Sequence, residues 1–236
     1  MSSSPEITQS SNKKTPLAPW WHTVLVLLPL FVGSAVSAYQ HTLEHVNLPG
    51  ISFRLSAYFT VMVEEWFVVL LIWLALRRRG LSIGDMVSGR WQNVAAFLRD
   101  LGLAIVFIVA VEALTTVMAR FLASGSSDVN FVPQTRFEAI VWVFLALTAG
   151  FCEELIFRGY LTHQFTAWTN SKALAIVIQG IVFGLIHGNQ FSNILPIMVF
   201  GWLIGIFASW RKSLRPAILA HVLDDGVLGL LAFLLR

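Results

Sequence analysis

Hydrophobic residues gather along this chain into seven blocks near twenty residues long, roughly 21–39, 56–76, 99–122, 139–158, 173–190, 193–210 and 217–235, with short polar stretches between them. A helix rising 1.5 Å per residue needs about twenty such residues to cross a hydrocarbon core about 30 Å thick. It also satisfies its own backbone hydrogen bonds, which lipid cannot do. The pattern predicts an all-α fold, a polytopic membrane helix bundle of about seven transmembrane helices. Trp20, Trp21, Trp168 and Trp210 stand near block ends, where an interfacial belt places them. Residues 1–19 are polar and Ser-rich, with Lys13, Lys14, Pro16 and Pro19, and read as a disordered tail. A secretory signal would carry its charges and apolar stretch nearer the start, so the first block is expected to be retained.

Composition agrees with a lipid environment. Of 236 residues, 56% are hydrophobic and only 12% charged, and mean hydropathy is +0.73. A soluble domain carries roughly 25% charged residues, so too few remain here to cover a water-facing surface. The net charge of +3 reads as loop charge. No basic run carries interleaved aromatics, so nucleic acid is not an expected partner. Cys152 is the single cysteine, which leaves no internal disulfide. With the N-terminus cytoplasmic, twelve of the sixteen Lys and Arg residues fall inside; Arg54, Arg120, Arg136 and Arg236 fall outside. Seven spans then place the C-terminus outside, and a plasma (inner) membrane is the expected location.

Charged groups at mid-bilayer cost at least about 2.5–3.5 kcal/mol each, so they mark function or pairing. Glu64, Glu65, Glu112, Glu153, Glu154, His187, His221, Asp224 and Asp225 are the candidates. At about 100° per helical residue, Arg158 lies about 40° from Glu154 and about 140° from Glu153. Glu154 and Arg158 therefore form a neutralising i,i+4 pair with a structural role, and Glu153 is left for chemistry. The turn Thr169-Asn170-Ser171-Lys172 separates the fourth and fifth blocks, and Glu153 and His187 lie equally far from Asn170 on either side. A straight antiparallel hairpin brings those two to one level, provided the fourth helix runs on to about Trp168. His221 and Asp225 share a helix face at i,i+4 and open the seventh block after Pro216. Gly180, Gly184 and Gly188, then Gly201 and Gly205, repeat every four residues and predict close helix packing.

Glu-Glu-x-x-x-Arg at 153–158, Phe-x-x-x-His at 183–187 and His-x-x-x-Asp at 221–225, in that order on membrane helices, resemble the CAAX protease and bacteriocin-processing family of intramembrane glutamic endopeptidases. Arg158-Gly159-Tyr160-Leu161 adds to the resemblance, which covers about residues 139–235. It divides the chain into the tail, N-terminal transmembrane helices over 20–138 and a catalytic transmembrane core over 139–236. It implies that Glu153 is a general base activating a water, that His187 positions that water, and that His221 and Asp225 face the oxyanion. A carboxylate donates no hydrogen bond unless protonated. Asp225 is therefore either kept neutral or orients His221, and orientation is the preferred reading. The resemblance implies no metal and no cofactor. The implied partners are the lipid bilayer and a hydrophobic or lipidated (CAAX-like) peptide, cleaved at a site open to the cytoplasm.

Four other readings use the same residues. Glu153, His187 and His221 form a set that catalytic zinc accepts, although no His-Glu-x-x-His motif is present. Cys152 with His187 would suit a cysteine peptidase, but Cys152 lacks an evident activating cation. Glu64, Glu65 and Glu112 would suit a proton relay or transporter, yet no inverted repeat accompanies them. A catalytically silent scaffold or immunity protein would keep the fold and lose the chemistry, yet all the polar positions are present. Oligomeric state is not legible.

Overall fold

A computed structural model describes residues 15–43, 53–122, 131–187 and 191–235. Among them every regular element is helical: α1 (Trp20–Leu43), α2 (Phe53–Arg78), the short α3 (Ile83–Val87) and α4 (Val94–Phe121). After these come α5 (Arg136–Thr169), α6 (Lys172–His187), α7 (Phe191–Arg211) and α8 (Arg215–Leu234). Five helices are long and apolar enough to cross a bilayer, and Trp20–Val36 and Lys172–His187 are shorter apolar helices. The protein is an integral membrane helix bundle, and its seven larger helices lie on the seven hydrophobic blocks. Lys13, Lys14, Gly188 and Arg236 lie outside the described residues.

α5 is the axis of the bundle. Its apolar window is 67% buried, against 11% for α4. At 34 residues it is about 50 Å long, well beyond the hydrocarbon thickness, so one end projects. Hydrogen bonding shifts to the π register over Glu154–Leu161. The helix begins at a capping box between Thr135 and Glu138 and ends at Asn170, whose φ of 55° is the left-handed conformation that stops a helix. The boundary expected at 138/139 therefore cuts the first turn of α5. One continuous core draws Val26, Ile72 and Val111 from the first half of the chain together with Leu155, Phe183 and Ile204 from the second.

Small residues set the helix spacing. A Cβ on Gly201 would stand 3.1 Å from the Gly180 Cα, so α6 and α7 touch backbone to backbone. A Cβ on Gly159 would meet the Met86 Sδ at 2.7 Å, which lets α3 seat against the π turn. At the end of the bundle where α5 projects, the Gln164 amide accepts from the Leu17 N–H (2.6 Å) and donates to the Ala18 carbonyl (2.9 Å). Leu17 and Ala18 are buried, so the tail expected over 1–19 ends in a segment fixed to α5. Residues 1–14 lie outside the described residues. At the same end Leu214 donates to the Val87 carbonyl (2.9 Å), and Arg211 holds Asp100 of α4 at 2.9 Å.

Candidate active site

The α5–α6 hairpin turns at Asn170 and lays His187 beside Glu153, with Nε2 3.3 Å from Oε1. Nδ1 of His187 lies 2.8 Å from the Phe183 carbonyl. A carbonyl only accepts, so Nδ1 carries the proton and Nε2 is the atom that faces Glu153. α8 supplies His221, whose Nε2 stands 3.6 Å from the other Glu153 oxygen. Three helices thus bring Glu153, His187 and His221 together.

Glu154 lies behind them, fully buried. Its Oε1 receives Arg158 NH1 at 2.9 Å and His221 Nδ1 at 2.9 Å. Arg158 also donates to the Gly201 carbonyl (3.4 Å), and its guanidinium lies 4.3 Å from the centre of the Phe183 ring. The contact that orients His221 therefore comes from Glu154. Asp225, the residue expected to orient the ring, stands 3.7 Å from His221 Nε2, in ion-pair range but beyond a hydrogen bond. The cause is register: the π turn keeps Glu154 on the inner face beside Glu153, and α8 crosses at that level.

Access is uneven. The side chains of His187 and Asp225 are 32% and 33% exposed, while those of Glu154 and Arg158 are sealed. Phe183 and Phe200 flank His221, at ring separations of 6.1 and 5.4 Å. Phe183 was legible as part of a motif, whereas Phe200 carried no signal. Trp142 fixes the backbone of the last motif residue by donating to the Asp225 carbonyl (2.8 Å). Asp224 is buried, with Glu112 of α4, Asp225 and His221 as its charged neighbours. Cys152 is fully buried, and its charged neighbours are the carboxyls of Glu65 and Glu153. Among the described residues no three His, Cys, Asp or Glu side chains are grouped to hold a metal ion.

Residues 135–227 match the type II CAAX prenyl endopeptidase Rce1-like family. This stretch is similar to that family. The Rce1-like segment runs from the cap of α5 to just past Asp225, and so contains every residue of the cluster. The chain is also 32% identical over 88 residues to the uncharacterized protein YpbD of Bacillus subtilis (strain 168). That match covers 36% of this chain and 42% of YpbD, so the chain spans under half of that relative's length. No solved structure matches the chain.

Proposed function

We propose that this protein is an intramembrane endopeptidase that hydrolyses a peptide bond with a water activated by Glu153. The observation that carries this reading is the buried contact of Glu153 with His187 and His221 on three helices, inside a segment similar to an endopeptidase family. A water bound to Glu153 and His187 gives one proton to Glu153, and its oxygen bonds to the peptide carbonyl carbon. The carbonyl π pair moves to oxygen. His221, with Nδ1 committed to Glu154, meets that oxyanion through a protonated Nε2. Three carboxyls within 4 Å of the ring supply the counter-charge. As the C–N bond breaks, the proton on Glu153 passes to the departing amine.

Asp225 sits at the exposed rim, beside His221, where it meets the substrate before the inner residues do. Glu153 lies about 26 Å along α5 from Arg136, which is the half of a 30 Å core nearer the projecting end. Basic residues gather at that end, so it is the cytoplasmic one, in a plasma membrane with the N-terminus inside. The site then opens to the cytoplasm and receives a hydrophobic or lipidated peptide held at the membrane surface. It needs no metal in this mechanism.

The test is cleavage of quenched fluorescent peptides, prenylated and not, by the reconstituted protein. Cleavage that vanishes in Glu153→Gln and survives a chelator supports the proposal. Cleavage abolished by the chelator and restored by Zn²⁺ reassigns the same residues to a metal. Equal cleavage of any soluble peptide removes the membrane-substrate part.

A further inference from the structure

Glu64 and Glu65 stand side by side on α2 and part company. The Glu64 carboxyl packs on α1, in the space that a Cβ on Gly33 would need, and borders an open apolar groove with Phe59, Val63 and Phe67. Glu65 turns inward. It is 4% exposed, and the Glu153 carboxyl is among the charged groups that face it. Stacking of Trp66 on Phe151 at 5.8 Å locks α2 to α5 at this level. One oxygen of each carboxyl, Oε2 of Glu65 and Oε2 of Glu153, is buried with no hydrogen-bond partner among the described residues.

Two ionised carboxylates offer only acceptors to each other, and in a low-dielectric site they repel. The titratable groups that face Glu65 are acids: Glu153 and Cys152 from α5, Asp225 from α8 and Glu64 from its own helix. His187 and His221 contact Glu153 itself. A single proton held between the two carboxyls converts the repulsion into a charge-assisted hydrogen bond.

We infer that Glu65 is a positioning residue for Glu153: it donates a hydrogen bond to the Glu153 carboxylate and holds it facing His187. The inference rests on the peptidase reading for its kinetic consequence, and on the geometry alone for the shared proton. No bond to substrate involves Glu65. Its proton stays between the two carboxyls while Glu153 takes and returns the proton of the water.

The experiment compares the full-length reconstituted protein with Glu65→Gln, Glu65→Leu and, as a control, Glu64→Gln. Glutamine keeps a donor and cannot ionise. Glu65→Gln should hold kcat within about threefold of the parent at neutral pH, and keep it at alkaline pH where the parent falls as the pair loses its proton. Glu65→Leu should lose roughly 10- to 100-fold in kcat with KM little changed, the range for one hydrogen bond to a charged group. Glu64→Gln should match the parent. Parallel pH profiles for all four proteins, with Gln and Leu equally impaired, would overturn the inference in favour of a packing role. Infrared spectra give a readout that needs no substrate. The carbonyl stretch of a protonated carboxylic acid should disappear in Glu65→Gln and shift in Glu153→Gln, where its acceptor changes. Those spectra with no cleavage of any peptide would leave the shared proton standing and remove the peptidase reading. A band unchanged by both substitutions, in a protein that cleaves, would remove the shared proton.

Discussion

Arg158→Met is the sharpest test of how the interior is held together. The two side chains of the Arg158–Glu154 pair are 1% and 0% exposed, so neither charge reaches water. Arg158 makes the 2.9 Å bond to Glu154, a longer one to the Gly201 carbonyl and a face contact with Phe183. Methionine fills similar volume and keeps apolar contact with Phe183, so little of the loss comes from packing. What remains is a buried Glu154 carboxylate whose other partner is His221. Removing one member of a buried ion pair costs about 3–5 kcal/mol, chiefly because the remaining charge is stranded. The double variant Glu154→Gln/Arg158→Met strands no charge and retains a carbonyl acceptor for His221. It should recover at least about half of the loss. Unfolding by SDS titration from mixed micelles measures all three free energies. A cost below about 1 kcal/mol for Arg158→Met, or a double variant less stable than the single one, would refute the assignment of Arg158 as the charge partner of Glu154.

Three further outcomes follow from the same contacts. Asp225→Asn should retain activity within several-fold, because asparagine places a donor at the exposed rim beside His221, whereas Asp225→Leu should lower it well below that; peptide cleavage checks both. Cys152→Ala should keep activity while losing about 1–2 kcal/mol of stability from the cavity left at a fully buried site, and selective loss of cleavage in a folded variant would revive the cysteine reading. Gly201→Val should break the α6–α7 contact, where even a Cβ stands 3.1 Å from the Gly180 Cα; overpacking of that kind costs about 1–3 kcal/mol or more, read as lower melting temperature and monodisperse yield.

The sequence carried most of the fold because lipid enforces a simple code: apolar blocks of bilayer length become helices, and all seven did. The depth match of Glu153 and His187 was legible from equal spacing about Asn170, since a helical hairpin has little freedom of register. The Glu154–Arg158 bond was legible because it is local. Three features were not. α3, closed by the reciprocal Ser82–Asp85 cap, is too short for a periodicity to announce it. The hydrogen bond from His221 to Glu154 depends on the π register and on where α8 crosses, neither of which local spacing encodes. Glu64 and Glu65 are adjacent on an apolar helix, so sequence could not say which faces inward. Packing of Glu64 against Gly33 and of Trp66 against Phe151 decides it.

The Arg158–Glu154 bond lies within one helix, and this bears on how the chain enters the membrane. It forms as soon as that turn of α5 forms, before α6 or α8 has been synthesised. Two residues that would each cost at least about 2.5–3.5 kcal/mol at mid-bilayer thus arrive already neutralised. Glu153 has no such local partner, and must wait for His187, 34 residues later. The unit that can leave the insertion machinery without a bare charge is therefore the α5–α6 hairpin and not α5 alone, so truncations that end between Asn170 and His187 should be retained there or degraded.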